Sequence, residues 1–159
     1  MCLVENRKRK HQDDFELYQE LKDSVVTMAP PILDTVLPAS VPDMIGQLNS
    51  LLLNFNSRKQ NNISVACLMG RNLSHIQDFF YNDGNIAGNF IDCVHQLVPK
   101  KGFSKTYIYF LIKLYKFAER FKKLEYVSIA ISKLETNFTY LSKMIEREAE
   151  FWTTHVPNH

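Results

Sequence analysis

The fold is decided by residues 99–125, which read PKKGFSKTYIYFLIKLYKFAERFKKLE. Placed on a helix at about 100° per residue, this stretch separates into two faces. The narrower face spans about 80°; we call it the basic strip, and it consists of Lys105, Tyr109, Lys113, Lys116, Arg120 and Lys123. The wider face spans about 220° and consists of Tyr107, Ile108, Phe110, Leu111, Ile112, Leu114, Tyr115, Phe117, Ala118 and Phe121. So wide an apolar face predicts a helix at the centre of a bundle, with the basic strip left at the surface.

The composition predicts an all-α fold. The chain has 159 residues, enough for one domain with a sizeable core, and 45% of them are hydrophobic. Its 5 glycines and 6 prolines are too few for the regularly spaced turns of an all-β sandwich. Apolar residues recur at helical spacing in several segments, which predicts a compact bundle of about five to six helices.

Charge is distributed unevenly along the chain. The net charge is +2, yet residues 100–125 hold eight lysines and arginines against two glutamates. Electrostatic attraction of a partner would therefore come from a local patch rather than from the whole protein. The apolar runs are too short to span a bilayer, so no membrane association is expected. Three cysteines suggest no disulfide framework, which is typical of an intracellular protein.

Prolines suggest how the chain is divided. Residues 1–39 are predicted to form a basic N-terminal arm with a short helix and a proline-rich connector, because proline does not fit a helix interior. Residues 40–153 are predicted to form the helical bundle, and residues 154–159 a polar tail. The short helix of the arm, expected near residues 12–26, is a candidate docking arm or dimer-swap element.

Within the bundle, Ser40 has the character of a helix N-cap. Residues 63–69, ISVACLM, are compatible with a buried strand or a short helix. The helix is favoured because no other strand is available to pair with this segment. A further helix is predicted to begin at Asn72 or Ser74.

The C-terminal segment carries an apolar stripe from Leu134 to Trp152, which predicts a helix that could run unbroken from Ser128. A helix-turn-helix is an alternative interpretation. Its recognition helix would begin with Thr139, Tyr140, Ser142 and Lys143. A straight helix is favoured, because the expected turn lacks glycine and the stripe continues through it.

No catalytic residue, cofactor or metal site is predicted. The chain lacks a glycine-rich phosphate loop, a nucleophile elbow and a dinucleotide fingerprint. Cys93 with His95, and Cys67 with His75, bring metal-ligand types together without the spacing of a zinc site. We therefore expect a non-enzymatic protein without a small-molecule substrate.

A basic run near the N-terminus has the composition of a nuclear localisation signal. It consists of Arg7, Lys8, Arg9 and Lys10. Nuclear localisation is therefore expected, with the cytoplasm as the alternative.

The leading hypothesis is a helical interaction module that docks onto a partner protein or a second copy through apolar stripes and the basic strip. DNA or RNA binding by residues 105–123 is the alternative, with Tyr109 stacking or hydrogen-bonding. A viral or mobile-element accessory protein is a second alternative, suggested by the abundance of Asn, Lys and Phe. In a further hypothesis, Glu146, Glu148 and Glu150 neutralise the strip, either within the molecule or from a second copy.

Overall fold

The structure, a computed structural model, describes residues 14–25, 36–54, 63–82, 89–98 and 103–154. The described chain is predominantly helical, and the predicted all-α multi-helix fold is confirmed. Its elements are, in order, α1 (14–23), α2 (Val41–Asn54), α3 (Ile63–Asn82), α4 (Phe90–Leu97), α5 (Lys105–Arg120), a 3₁₀ helix (Lys122–Tyr126), α6 (Ile131–Thr136), α7 (Phe138–Arg147) and α8 (Ala149–Thr153).

Two helices that shape the bundle begin at serine caps. Ser40 Oγ accepts a hydrogen bond from the backbone N–H of Asp43 at 3.2 Å, so Ser40 caps α2 as predicted. Ser104 Oγ accepts one from the N–H of Tyr107, also at 3.2 Å, at the start of α5. Each cap satisfies a backbone donor that has no partner within its own helix. The Ser104 cap fixes where α5 begins.

Residues 63–69 are helical, as the sequence favours, but they open the long helix α3 rather than a short one. The prediction that Asn72 or Ser74 starts a helix is wrong, because both are buried inside α3. Asn72 Nδ2 donates to the backbone oxygen of Met44 at 3.2 Å and to Gln47 Oε1 at 2.7 Å. This amide joins α3 to α2 in the core, where a polar group without partners would be costly.

Helices α3 and α5 pack closely at the centre of the bundle. A Cβ atom built on Gly70 would collide with the carbonyl oxygen of Leu111 and lie 2.9 Å from Cβ of Tyr115. Near the other end of α3, Tyr81 lies close enough to Tyr109, in the first turns of α5, to affect the pKa of its hydroxyl. The later residue of α3 thus meets the earlier residue of α5, so the two helices run antiparallel.

The wide apolar face of α5 is buried, which confirms its predicted place in the core. Nine of its ten residues are at most 9% exposed, and Tyr115 is half-buried. Phe110 and Phe117 both meet the ring of Phe138 on α7 edge to face, with ring centres 5.6 and 5.5 Å apart. All the described helices contribute residues to this one hydrophobic cluster.

The C-terminal segment forms three helices rather than an unbroken one. Asn137 (φ −112°, ψ 14°) separates α6 from α7, and Glu148 (φ −112°, ψ 42°) separates α7 from α8. The apolar stripe stays buried across both breaks, since Leu134, Leu141 and Trp152 are each 0% exposed. A helix-turn-helix needs a turn of about three to four residues, so the single-residue break at Asn137 does not form that motif.

Helix α1 packs into the same core, which corrects the hypothesis of a detached arm. Leu21 is 0% exposed and belongs to the central hydrophobic cluster. After the helix, Val25 forms an isolated antiparallel bridge with Val127. Ser128 donates to the backbone oxygen of Ser24 from both its N–H (2.9 Å) and its hydroxyl (2.7 Å). Most of the remaining arm lies outside the described residues.

Candidate functional site

The basic strip lies at the protein surface, where its helical spacing predicts it. Five of its six residues are exposed on α5, and the sixth, Lys123, is half-buried in the 3₁₀ helix. Lys113, Lys116 and Arg120 occupy successive turns and present their charges on one side of α5. Because the opposite face of α5 is held in the core, this side cannot turn inward.

The cations of the basic strip form no ion pair within the described part of the chain. No carboxylate there lies within 4.0 Å of a side-chain nitrogen of the strip. Two ion pairs among the described residues involve other lysines, Lys22 with Glu148 and Lys133 with Glu20, each at 3.1 Å. The strip therefore presents cations without ion-pair partners to the solvent.

The hypothesis that the C-terminal glutamates neutralise the strip within one molecule is wrong for Glu148. This carboxylate accepts a hydrogen bond from the Tyr18 hydroxyl and pairs with Lys22 on α1. Both contacts hold the pKa of Glu148 below its ordinary value, the Tyr18 hydroxyl having the larger effect. The charge of Glu148 is thus engaged by α1 rather than by α5.

Two cations of the strip lie against aromatic rings. The guanidinium carbon of Arg120 is 4.9 Å from the ring centre of Phe121, and Lys123 Nζ is 3.9 Å from that of Phe151. Cation–π contact favours these side-chain positions without neutralising the charge. These two cations are thereby partly ordered before any partner arrives.

A groove runs between α3 and the basic strip, and sequence reasoning did not foresee it. It encloses about 360 Å³ and is lined by Gln77, Tyr109, Ile112, Lys113, Lys116, Phe117 and Arg120. Ile112 and Phe117 are only 5% and 9% exposed, so they form an apolar floor below the longer polar side chains. The groove therefore combines an apolar base with a cationic rim.

Tyr81 extends the aromatic surface at the Tyr109 end of the strip. The two side chains are 64% and 38% exposed and lie close to each other. Partial burial and the neighbouring Tyr81 together raise the pKa of Tyr109 above its ordinary value, burial having the larger effect. In the sequence, the only sign of this arrangement is that Gln77 and Tyr81 lie one helical turn apart and so share a side of α3. This spacing indicates a common surface only when the pairing of α3 with α5 is known.

The other sequence-predicted site residues are not brought to this groove. On α7, Thr139 and Lys143 are exposed, whereas Tyr140 and Ser142 are half-buried, and none of the four lines the groove. The basic run at residues 7–10 lies outside the described residues, as do Lys100 and Lys101, which precede the strip in sequence.

Buried ionisable groups occur between α3 and the 3₁₀ helix. Arg71 and Glu125 are 5% and 6% exposed, and Cys67 is fully buried. Burial lowers the pKa of Arg71, an effect that Tyr115 and Glu125 oppose. Burial also raises the pKa of the Cys67 thiol, which keeps it protonated and unsuited to act as a nucleophile. These groups belong to the core.

The described residues contain neither a metal-binding cluster nor a membrane-spanning helix. No group of three or more histidine, cysteine, aspartate or glutamate side chains in those ranges is arranged to hold a metal ion. The helices in the described part of the chain include none with the length and apolar character needed to cross a membrane.

No protein-family model, curated protein or solved structure matches the chain.

Proposed function

We propose that this protein is a non-catalytic interaction module that docks onto an acidic surface of a partner protein through the basic strip of α5. The observation that carries the proposal is a row of cations without a carboxylate partner among the described residues, set beside an apolar-floored groove. Electrostatic attraction would orient the partner, and apolar contact would hold it. The nuclear setting stays a prediction from residues 7–10.

The position of the strip on a rigid helix supports this proposal. The buried face of α5 anchors it in the core, and the Ser104 cap sets its register. A surface fixed in this way loses little conformational entropy when it binds, which favours affinity. The order that the aromatic rings impose on Arg120 and Lys123 acts in the same direction.

The proposal is tested by panning a phage-displayed random peptide library on the full chain. The selected peptides are expected to be acidic and to bind the variant Lys116→Ala/Arg120→Ala about tenfold more weakly, since exposed ion pairs contribute up to about 1 kcal/mol each. Lys143→Ala/Arg147→Ala is the matched control, because it removes one exposed lysine and one exposed arginine outside the strip. Selected peptides without negative charge, or equal losses in both variants, would contradict the proposal.

Nucleic-acid binding is a second candidate function, favoured by the exposed pair Tyr81 and Tyr109 beside the cations. Aromatic side chains interleaved with lysine and arginine can stack bases while the cations contact phosphates. In that case a mixed-sequence single-stranded oligonucleotide would bind the full chain, with an affinity that falls steeply between about 50 mM and 200 mM salt. Unchanged binding in Lys113→Ala/Lys116→Ala/Arg120→Ala would end this candidate.

A further inference from the structure

We infer that the groove between Gln77 and the basic strip is an anchor site for an apolar side chain carried by an acidic segment of a partner protein. This inference rests on the proposed docking function and specifies what its surface recognises. It names the occupant of the groove, which the docking function leaves open.

The floor of the groove calls for an apolar occupant. Ile112 and Phe117 close its base with carbon atoms and offer no side-chain hydrogen-bond group. Water held over such a base is displaced favourably by an aliphatic or aromatic side chain. A phosphate or sugar would leave this base unused.

The rim of the groove specifies the charge beside that anchor. Lys113, Lys116 and Arg120 surround the apolar base, and none forms an ion pair with a carboxylate of the described chain. Aspartate or glutamate next to the anchor would meet these cations, whereas lysine or arginine there would be repelled. Gln77, on the α3 side, offers amide hydrogen bonds that either backbone or side chain can use.

The length of the groove indicates a short segment rather than a large flat interface. From Tyr109 to Arg120 it follows α5 for about 16 Å, which equals about three helical turns. A volume of about 360 Å³ lies at the low end for binding pockets. One amphipathic helix with a small number of apolar anchors fits both dimensions.

The test compares two fluorescein-labelled helical peptides of equal negative charge. Both carry glutamates along one face, and one has leucines at i, i+3, i+4 and i+7 where the other has alanines. The full chain is expected to bind the leucine peptide at least tenfold more tightly in fluorescence anisotropy. Gln77→Trp, which fills the groove and keeps every cation, should abolish that preference and leave binding of the alanine peptide unchanged.

Gln96→Trp on α4 is the matched control, because Gln96 is exposed and lies outside the groove. Nuclear magnetic resonance of the unmodified chain gives a second measurement that does not depend on a variant folding. The leucine peptide should shift the side-chain amide of Gln77 and the backbone amides of Ile112 and Phe117 more than the alanine peptide does.

Failure of the anchor site and failure of the docking function give different results. If both peptides bind equally and both are weakened by Lys116→Ala/Arg120→Ala, the anchor site is overturned and the docking function stands. If that variant weakens neither peptide, or neither binds the unmodified chain, both are overturned. If the free chain forms a dimer and Gln77→Trp dissociates it, the groove binds a second copy of the chain. That result would overturn the inference that a separate partner protein occupies the groove.

Discussion

At the scale of single residues, Gly70 shows how closely the two central helices approach. Glycine inside a helix ordinarily costs stability, because it loses more backbone freedom on folding than alanine does. Here the absence of a side chain allows the backbone of α5 to lie where a Cβ would otherwise be, against Leu111 and Tyr115. The local cost of glycine is therefore offset by close packing of α3 on α5.

We predict that Gly70→Ala lowers the free energy of unfolding by about 1–3 kcal/mol, because the added methyl group overpacks the helix contact. Gly46→Ala on α2 is the control, since a Cβ at that position meets nothing within 4 Å. That substitution should raise the free energy of unfolding by about 0.5–1 kcal/mol through helix propensity. Urea unfolding curves measure both, and stabilisation by both substitutions would contradict the close approach at Gly70.

At the scale of elements, α1 is the helix whose place the sequence predicted least well. Its separation from the rest by prolines suggested an independent arm, yet it fills part of the common core through Tyr18 and Leu21. Its exposed side carries Phe15, which is 61% accessible to solvent. The helix is thus amphipathic in the ordinary sense, with one side packed and the other in water.

We predict that Leu21→Ala lowers the free energy of unfolding by about 2–5 kcal/mol, because it opens a cavity in the core. Phe15→Ala removes a larger side chain from the same helix but should change the free energy of unfolding by less than about 0.5 kcal/mol, as expected for a surface position. Urea unfolding curves measure the free energy of unfolding of both variants. Equal, small effects would mean that α1 does not pack as described.

At the scale of the whole molecule, the two ends of the described chain meet. Trp152 on α8 donates its indole N–H to the hydroxyl of Tyr18 on α1 at 3.1 Å, and Lys22 pairs with Glu148. Burial, opposed by the Trp152 hydrogen bond and reinforced by Glu148, raises the pKa of Tyr18 from 10.0 to about 12. The folded state therefore keeps a proton that the unfolded chain releases near pH 10.

The proton kept by Tyr18 in the folded state determines whether folding stability rises or falls with pH. The stability that comes from the raised pKa of Tyr18 is complete below pH 10 and is lost as the pH rises to about 12. We predict that Tyr18→Phe costs about 1–3 kcal/mol near neutral pH, because the Trp152 N–H loses its acceptor. The stability gap between the parent and Tyr18→Phe should narrow above pH 10, as measured by urea unfolding with Trp152 fluorescence. A gap that stays constant or widens would contradict the account.

The sequence alone determined the features that depend on one helix at a time. Helical periodicity predicted both the buried face and the basic strip of α5, because side-chain direction repeats with the helical turn whatever the partner. Ser40 is likewise predictable as a cap, because its hydrogen bond reaches only three residues along the chain. Asn72 was misread as a cap because its partners, Met44 and Gln47, lie on another helix.

Only the tertiary structure decided which surfaces meet. The antiparallel pairing of α3 with α5 brings Gln77 and Phe117 into the lining of one groove. The docking of α1 engages Glu148 with Lys22 and thereby leaves the basic strip without that carboxylate. The physical reason is that these contacts join residues far apart in sequence, and their free energy depends on how whole helices pack rather than on local pattern.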